Sequence, residues 1–201
     1  MNTVKVLLSA LVIEFGLMFI PFAYFAACNP SAFQNAGAQV PKEESALKER
    51  LIDKTMQILT ENDEMTAGKK AILPAVVDSV IRHSAEYGVD PELVLSVIYA
   101  ESRFDPDVIS SAGAKGLMQV LNPDYDGLPD SVMFDVDRNI QMGIAEFAGY
   151  LEQYDSVMKS LYRYNGMKMK TYSKSVQISK ESYYYAIRVM DIYYLYKNPQ
   201  G

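Results

Sequence analysis

The sequence predicts a mainly α-helical domain behind an apolar N-terminal segment. Three observations carry this expectation. Apolar residues recur at helical spacing over most of the chain beyond residue 70, and no run alternates apolar and polar residues as a half-buried strand would. Residues that start and stop helices stand between those runs. The 201 residues are 49% hydrophobic, enough for a sizeable core in one ordinary domain plus a tail or anchor. The net charge of −6 gives no general reason to expect a nucleic-acid partner, because phosphate affinity depends on clustered Lys and Arg.

Residues 6–27 are almost entirely apolar, broken by Ser9, Glu14, Gly16, Pro21 and Tyr24. A helix crossing a bilayer needs about 20 such residues. Residues 1–28 therefore read as a membrane or signal segment, with three forms open. It is a retained signal-anchor, a lipoprotein signal ending at Phe25-Ala26-Ala27-Cys28, or a cleaved secretory peptide with Ala36-Gly37-Ala38 as its site. Each form carries the remainder out of the cytoplasm. Residues 29–68 read as a small, polar, proline-bounded linker up to Pro41, then an amphipathic helix bearing Leu47, Leu51, Ile58 and Leu59.

Residues 69–198 read as one helical domain. Its first helix, over 71–87, carries Ile72, Val76, Val77, Val80 and Ile81, stops at Gly88, and accepts Pro74 only in its first turn. Asp90-Pro91-Glu92 restarts a helix: Asp90 caps it, Pro91 suits its first turn, and Glu92 meets the positive end of its dipole. That helix runs to about Ser102 and ends before Asp105-Pro106. Further helices are expected over 136–154, 156–164 and 181–196. The lone Cys28 excludes an intramolecular disulfide, and the lone His83, read as a surface or half-buried helix residue, leaves no His-rich metal site.

At about 100° per residue, Leu93, Val94, Val97 and Ile98 define one face of the second helix, and Glu101 falls near the middle of it. A carboxyl against apolar surface loses solvation and stays protonated near neutral pH, as a general acid must. A glutamate fraying at an exposed helix end would occupy the same position, and position alone does not separate the two.

The motifs around it do. Gly88-Val89-Asp90-Pro91, Ile98-Tyr99-Ala100-Glu101-Ser102-Arg103-Phe104, and Ser110-Ser111-Ala112-Gly113-Ala114-Lys115-Gly116-Leu117-Met118-Gln119 stand in order. Asn139-Ile140 with Gly143, Tyr164-Asn165, and Glu181-Ser182 with Tyr185 follow. Together they closely resemble the soluble lytic transglycosylase family, over about residues 71–194. The resemblance implies a goose-type lysozyme-like fold, with Glu101 as the single catalytic acid/base. It further implies that Ser102, Met118, Gln119, Tyr164, Asn165, Glu181 and Tyr185 border the saccharide cleft. On their residue types alone, Gly113 and Gly116 serve equally as turn residues, Met118 as core, and Tyr164 and Tyr185 as packing tyrosines.

The chain departs from the family's pattern in three places. Arg163 precedes the tyrosine-asparagine pair where alanine is usual, Gly166-Met167 follows it, and Val120-Leu121-Asn122-Pro123-Asp124 replaces the usual segment after Gln119. These departures bear on the shape of the cleft more than on the chemistry.

The implied reaction acts on peptidoglycan glycan strands and needs no metal or cofactor. Most glycosidases use two carboxylates. Near Glu101 only Asp105 and Asp107 offer a second, and both read as turn residues around Pro106. The resemblance implies instead that Glu101 protonates the bond between N-acetylmuramic acid and N-acetylglucosamine, then takes a proton from the sugar's own 6-hydroxyl to form a 1,6-anhydro product. Two other functions stay open: a lysozyme-type muramidase, and a non-catalytic murein-binding component of an envelope-spanning secretion, conjugation or phage-entry machine.

Overall fold

The computed structural model of the chain describes residues 30–121, 125, 127–167 and 178–198, with side chains from 42 onward. The apolar segment at 6–27 and Cys28 lie outside the described residues. Among those described, every regular element is a helix, and the β pairing is confined to isolated bridges of Lys115 with Ile109 and Val120. No helix among them is long and apolar enough to cross a membrane.

The chain divides between Leu47 and Lys48 into two units. α1 spans Pro30–Glu61, so the linker expected up to Pro41 has a helical backbone instead. Proline suits a first helical turn, whose N–H has no partner to lose, and the Ala and Gln residues that follow are good helix formers. Within the second unit, α1 buries Leu51, Thr55, Ile58 and Leu59 as one helical stripe. The Thr55 hydroxyl meets the Tyr196 hydroxyl at 2.7 Å.

α2 spans Ala67–Tyr87. The side chain of Thr66 caps it by accepting from the Lys69 N–H, and Gly88 ends it at φ 68°, a left-handed conformation that only glycine adopts without strain. Its start lies one turn earlier than the sequence predicts, so Pro74 sits inside the helix rather than in its first turn. The lost backbone bond falls on an exposed position.

α3 spans Pro91–Ser102, capped by Asp90 as expected. It is the centre of the domain: Val94, Leu95, Val97 and Ile98 are fully buried. After the short α4 (Asp130–Met133) come α5 (Val136–Tyr154), α6 (Val157–Tyr164) and α7 (Lys180–Lys197). α2 packs on α5, α3 on α7, and α6 touches both α5 and α7. Glu92, buried in the first turn of α3, pairs with Arg50 of α1 at 2.7 Å and with Lys197 of α7. The same Lys197 reaches Asp90 at 2.8 Å.

His83 is a buried residue, 4% exposed, not the surface or half-buried one expected. Its ring nitrogens meet Glu86 at 3.1 Å and Asp137 at 3.0 Å. Asp137 also accepts from Ser79 and Arg82, and that set of donors holds its carboxyl well below the usual range. The cluster joins α2 to the first turn of α5, a packing invisible in the periodicity of α2 alone.

Candidate active site

Glu101 occupies the last turn of α3, where the helix stops abruptly. Arg103 and Phe104 both take left-handed φ values, 52° and 62°, and Phe104 is buried at 1% exposure. The apolar anchor at Phe104 compensates the strain of two non-glycine residues in that region. The chain then folds back on itself. Lys115 and Val120 exchange backbone hydrogen bonds, and Ser110 N–H donates to the Ala114 carbonyl. This places the 110–121 segment beside Glu101 along a cleft of about 400 Å³.

Burial is the main influence on Glu101 and pushes its carboxyl up to about 7. The Tyr185 hydroxyl donates to Oε1 at 2.7 Å and opposes that rise, as does the nearby Arg188, while the charge of Glu146 adds to it. A carboxylic acid with this affinity holds its proton at neutral pH and can also give it up there.

The turn at 116–119 is built around Asn139 of α5, buried at 1% exposure. Its Oδ1 accepts from the Met118 N–H, and its Nδ2 donates to the carbonyls of Lys115 and Met133. Gly116 is required here: its φ is 76°, and a Cβ would lie 2.4 Å from Asn139 Nδ2. Gln119 also has positive φ, 49°, and its Nε2 clamps the turn by donating to the carbonyls of Val108 and Gly116. Met118 points away from the cleft and is fully buried. It packs on Gly143, where an added Cβ would stand 2.5 Å from the Met118 Cβ.

α6 and α7 supply the facing wall. The Tyr164 hydroxyl donates to the Met118 carbonyl at 2.9 Å, and its ring meets Phe147 edge-on. Asn165 follows at the C-cap of α6, and its Oδ1 is buried with no hydrogen-bond partner among the described residues. Ser179 caps α7 by accepting from the Ser182 N–H, which sets Glu181 in the first turn on the cleft. One turn on, Tyr185 reaches Glu101.

Glu101, Gln119, Tyr164, Asn165 and Glu181 thus come together on one cleft, with Tyr185 bonded to the acid. Two expected residues stand apart from it. The Ser102 hydroxyl is buried and turned back onto the Ile98 carbonyl of its own helix, and the Met118 side chain is core, only its backbone serving the site. Asp105 and Asp107 are exposed, Asp105 Oδ1 accepting from the Asp107 N–H in a turn.

Glu146 and Tyr150 were missed by the sequence reading, which noted Arg163 only as a departure from the family's pattern. Glu146 and Arg163 line the cleft, the Tyr150 hydroxyl donates to Glu146 Oε1 at 2.7 Å, and the Arg163 guanidinium sits 4.9 Å from the centre of the Tyr150 ring. A signal was present: Asn139, Gly143, Glu146 and Tyr150 fall at i, i+4, i+7 and i+11, one face of α5. Among the described residues no group of acidic, His or Cys side chains could hold a metal ion.

Residues 78–185 match the family model described as the Transglycosylase SLT domain. The transglycosylase of Enterobacteria phage PRD1 is 36% identical over 83 residues, covering 41% of this chain and 31% of that protein. Membrane-bound lytic murein transglycosylase F of Desulfosudis oleivorans is 32% identical over 85 residues, 42% of this chain and 19% of its own. The chain therefore matches less than a third of the length of these relatives. Among solved structures, an inactive mutant of lytic transglycosylase Slt from Pseudomonas aeruginosa superposes with a TM-score of 0.50 at 18% identity, over 59% of this chain and 23% of that one. That likeness bears on the fold, and the sequence match spans α3, the glycine turn and the start of α7 alike. The chain belongs to the Transglycosylase SLT domain family.

Proposed function

We propose that this chain is a peptidoglycan lytic transglycosylase, cleaving the β-1,4 bond between N-acetylmuramic acid and N-acetylglucosamine without water. The observation that carries the reading is Glu101, an acid with its carboxyl near 7, bonded to Tyr185 on a saccharide-sized cleft in a chain of this family. Glu101 gives its proton to the linking oxygen as the glycosidic bond breaks. The muramyl acetamido group stabilises the cationic carbon, and the Tyr185 hydroxyl stabilises the carboxylate just formed. Glu101 then takes the proton from the 6-hydroxyl as that oxygen closes on the same carbon. The acid is regenerated, and the product is a 1,6-anhydro sugar.

Mass spectrometry of murein digested by the purified chain tests this. The expected muramyl ends are lighter by one water than hydrolysed ends, and Glu101→Gln should abolish their release while the circular dichroism spectrum is kept. A muramidase reading has one observation in its favour: Glu146 and Glu181 place further carboxyls on the cleft, and inverting glycosidases use a second carboxylate to activate water. Hydrated ends alone would select it. Murein binding without released muropeptides would select a non-catalytic component of an envelope machine.

The proposed place of action is the cell envelope outside the cytoplasm, reached through the apolar segment at 6–27. The relative from Desulfosudis oleivorans is named membrane-bound. The mass of the mature chain separates the three forms of that segment: full length for an anchor, a lipid adduct on Cys28 for a lipoprotein, and a shortened soluble chain for a cleaved peptide.

A further inference from the structure

Acidic groups dominate the lining of the cleft. Glu101, Glu146 and Glu181 border it, and among the described residues the one cation on its lining is Arg163. That guanidinium forms no ion pair with any described carboxylate, although Glu146 shares the cleft with it. Its position is set by the Tyr150 ring, 4.9 Å away, and a ring face holds a guanidinium without using its N–H donors. Tyr150 is in turn fixed by its hydrogen bond to Glu146 and its edge contact with Tyr164. An arginine held over a ring, with no hydrogen bond from its guanidinium among the described residues, is placed to take a planar anion.

A second feature stands beside it. Asn165, two residues on, keeps a buried Oδ1 with no hydrogen-bond partner among the described residues, on the same cleft. Such an acceptor costs stability unless a ligand N–H or O–H fills it. The pair asks for a ligand that offers an anion next to a donor.

We propose that Arg163 is a substrate-carboxylate site, with the Asn165 carbonyl accepting from a neighbouring amide or hydroxyl of the same strand. The inference rests on the peptidoglycan reading above and deepens it. Murein offers a carboxylate from two sources: the lactyl group of a muramic acid that has lost its peptide, and the free carboxyls of the stem peptide. Both have the chemistry that Arg163 fits. In a cleft bordered by three acidic side chains, a strand carboxylate has one favourable position, against this cation. A plain role at the helix C-terminus, completing the dipole of α6, would serve stability and be blind to substrate charge.

The test compares kcat/KM on four strands: peptide-bearing, peptide-free, and the same two with their carboxyls converted to methylamides. The parent chain is expected to prefer a carboxylate strand over its methylamide counterpart on the order of tenfold, the worth of one charge-assisted contact near water. Arg163→Gln should erase that preference through KM, and Arg163→Lys should keep part of it. A preference within the peptide-free pair identifies the lactyl carboxylate; one confined to the peptide-bearing pair identifies the stem peptide. A parent with no preference, or an Arg163→Gln chain that keeps it, overturns the proposal. The form of the product is read in every arm. Hydrated ends would defeat the transglycosylase reading while the charge preference still decides the role of Arg163.

Discussion

Burial strips water from the ionised form of Glu101, and the Tyr185 hydroxyl, 2.7 Å from Oε1, returns one hydrogen bond to it. The charge of Glu146 acts the other way from Tyr185, against ionisation. The two neighbours therefore make opposite predictions. Tyr185→Phe removes a donor to the carboxylate, so the carboxyl should rise further and the alkaline limb of the kcat/KM profile should move above pH 7. Glu146→Gln removes a like charge, so the same limb should move below pH 7. Profiles that shift in the same direction would refute this account of the acid. Stability follows with its own sign. The folded chain holds the Glu101 proton up to about 7 while the unfolded chain loses it near 4.5, so the cost of the buried charge grows as pH rises between these values. Glu101→Gln lifts that cost: it should be more stable than the parent at pH 8 by on the order of 2 kcal/mol, discounted for partial exposure, and no more stable at pH 4. Urea unfolding at both values checks it.

At the scale of elements, α5 holds the glycine turn in place. Asn139→Ala strands the Met118 N–H and two carbonyls, and each buried orphan costs about 1–3 kcal/mol, so a loss of about 3 kcal/mol is expected in urea unfolding. Gly143→Ala drives a Cβ into Met118, whose backbone carbonyl receives Tyr164. It should cost about 1–3 kcal/mol as overpacking and reduce cleavage beyond what stability explains, because Tyr164 is carried with Met118. Thermal melts alongside product release separate the two effects. The extents of α3, α5, α6 and α7 were legible from periodicity, and that of α3 also from its cap, because both signals are local: Asp90 bonds a residue two positions on. The start of α2 was misjudged, since Pro74 was given more weight than the capping Thr66.

For the whole molecule, the family match over 78–185 is narrower than the fold. Leu51, Ile58 and Leu59 of α1 are buried at 2% exposure or less, and Tyr196 of α7, bonded to Thr55, lies beyond the other boundary. Burying each such aliphatic side chain contributes roughly 2 kcal/mol, so the three approach the whole net stability of an ordinary domain, about 5–15 kcal/mol. A chain beginning at Ala67 should therefore lose cooperative unfolding and bind a hydrophobic dye, whereas the intact chain should not. Glu92 makes the same point in charge. Its buried carboxylate is matched by Arg50 of α1 and Lys197 of α7, and a buried charge left without partners is costly.

The sequence by itself determined most of the helices, the Asp90 cap and the glycine turn, because these follow from interactions a few residues apart, and it singled out Glu101 through a family resemblance. The tertiary structure decided what those residues do together. Glu101 and Tyr185 are 84 residues apart, and Asn139 and Met118 are 21 apart. Desolvation and Coulomb attraction depend on distance in space, which helical periodicity does not encode. Hence Met118 and Ser102 turned inward, His83 became a hydrogen-bonded core residue, and Glu146 and Arg163 entered a cleft whose walls the sequence had only partly named.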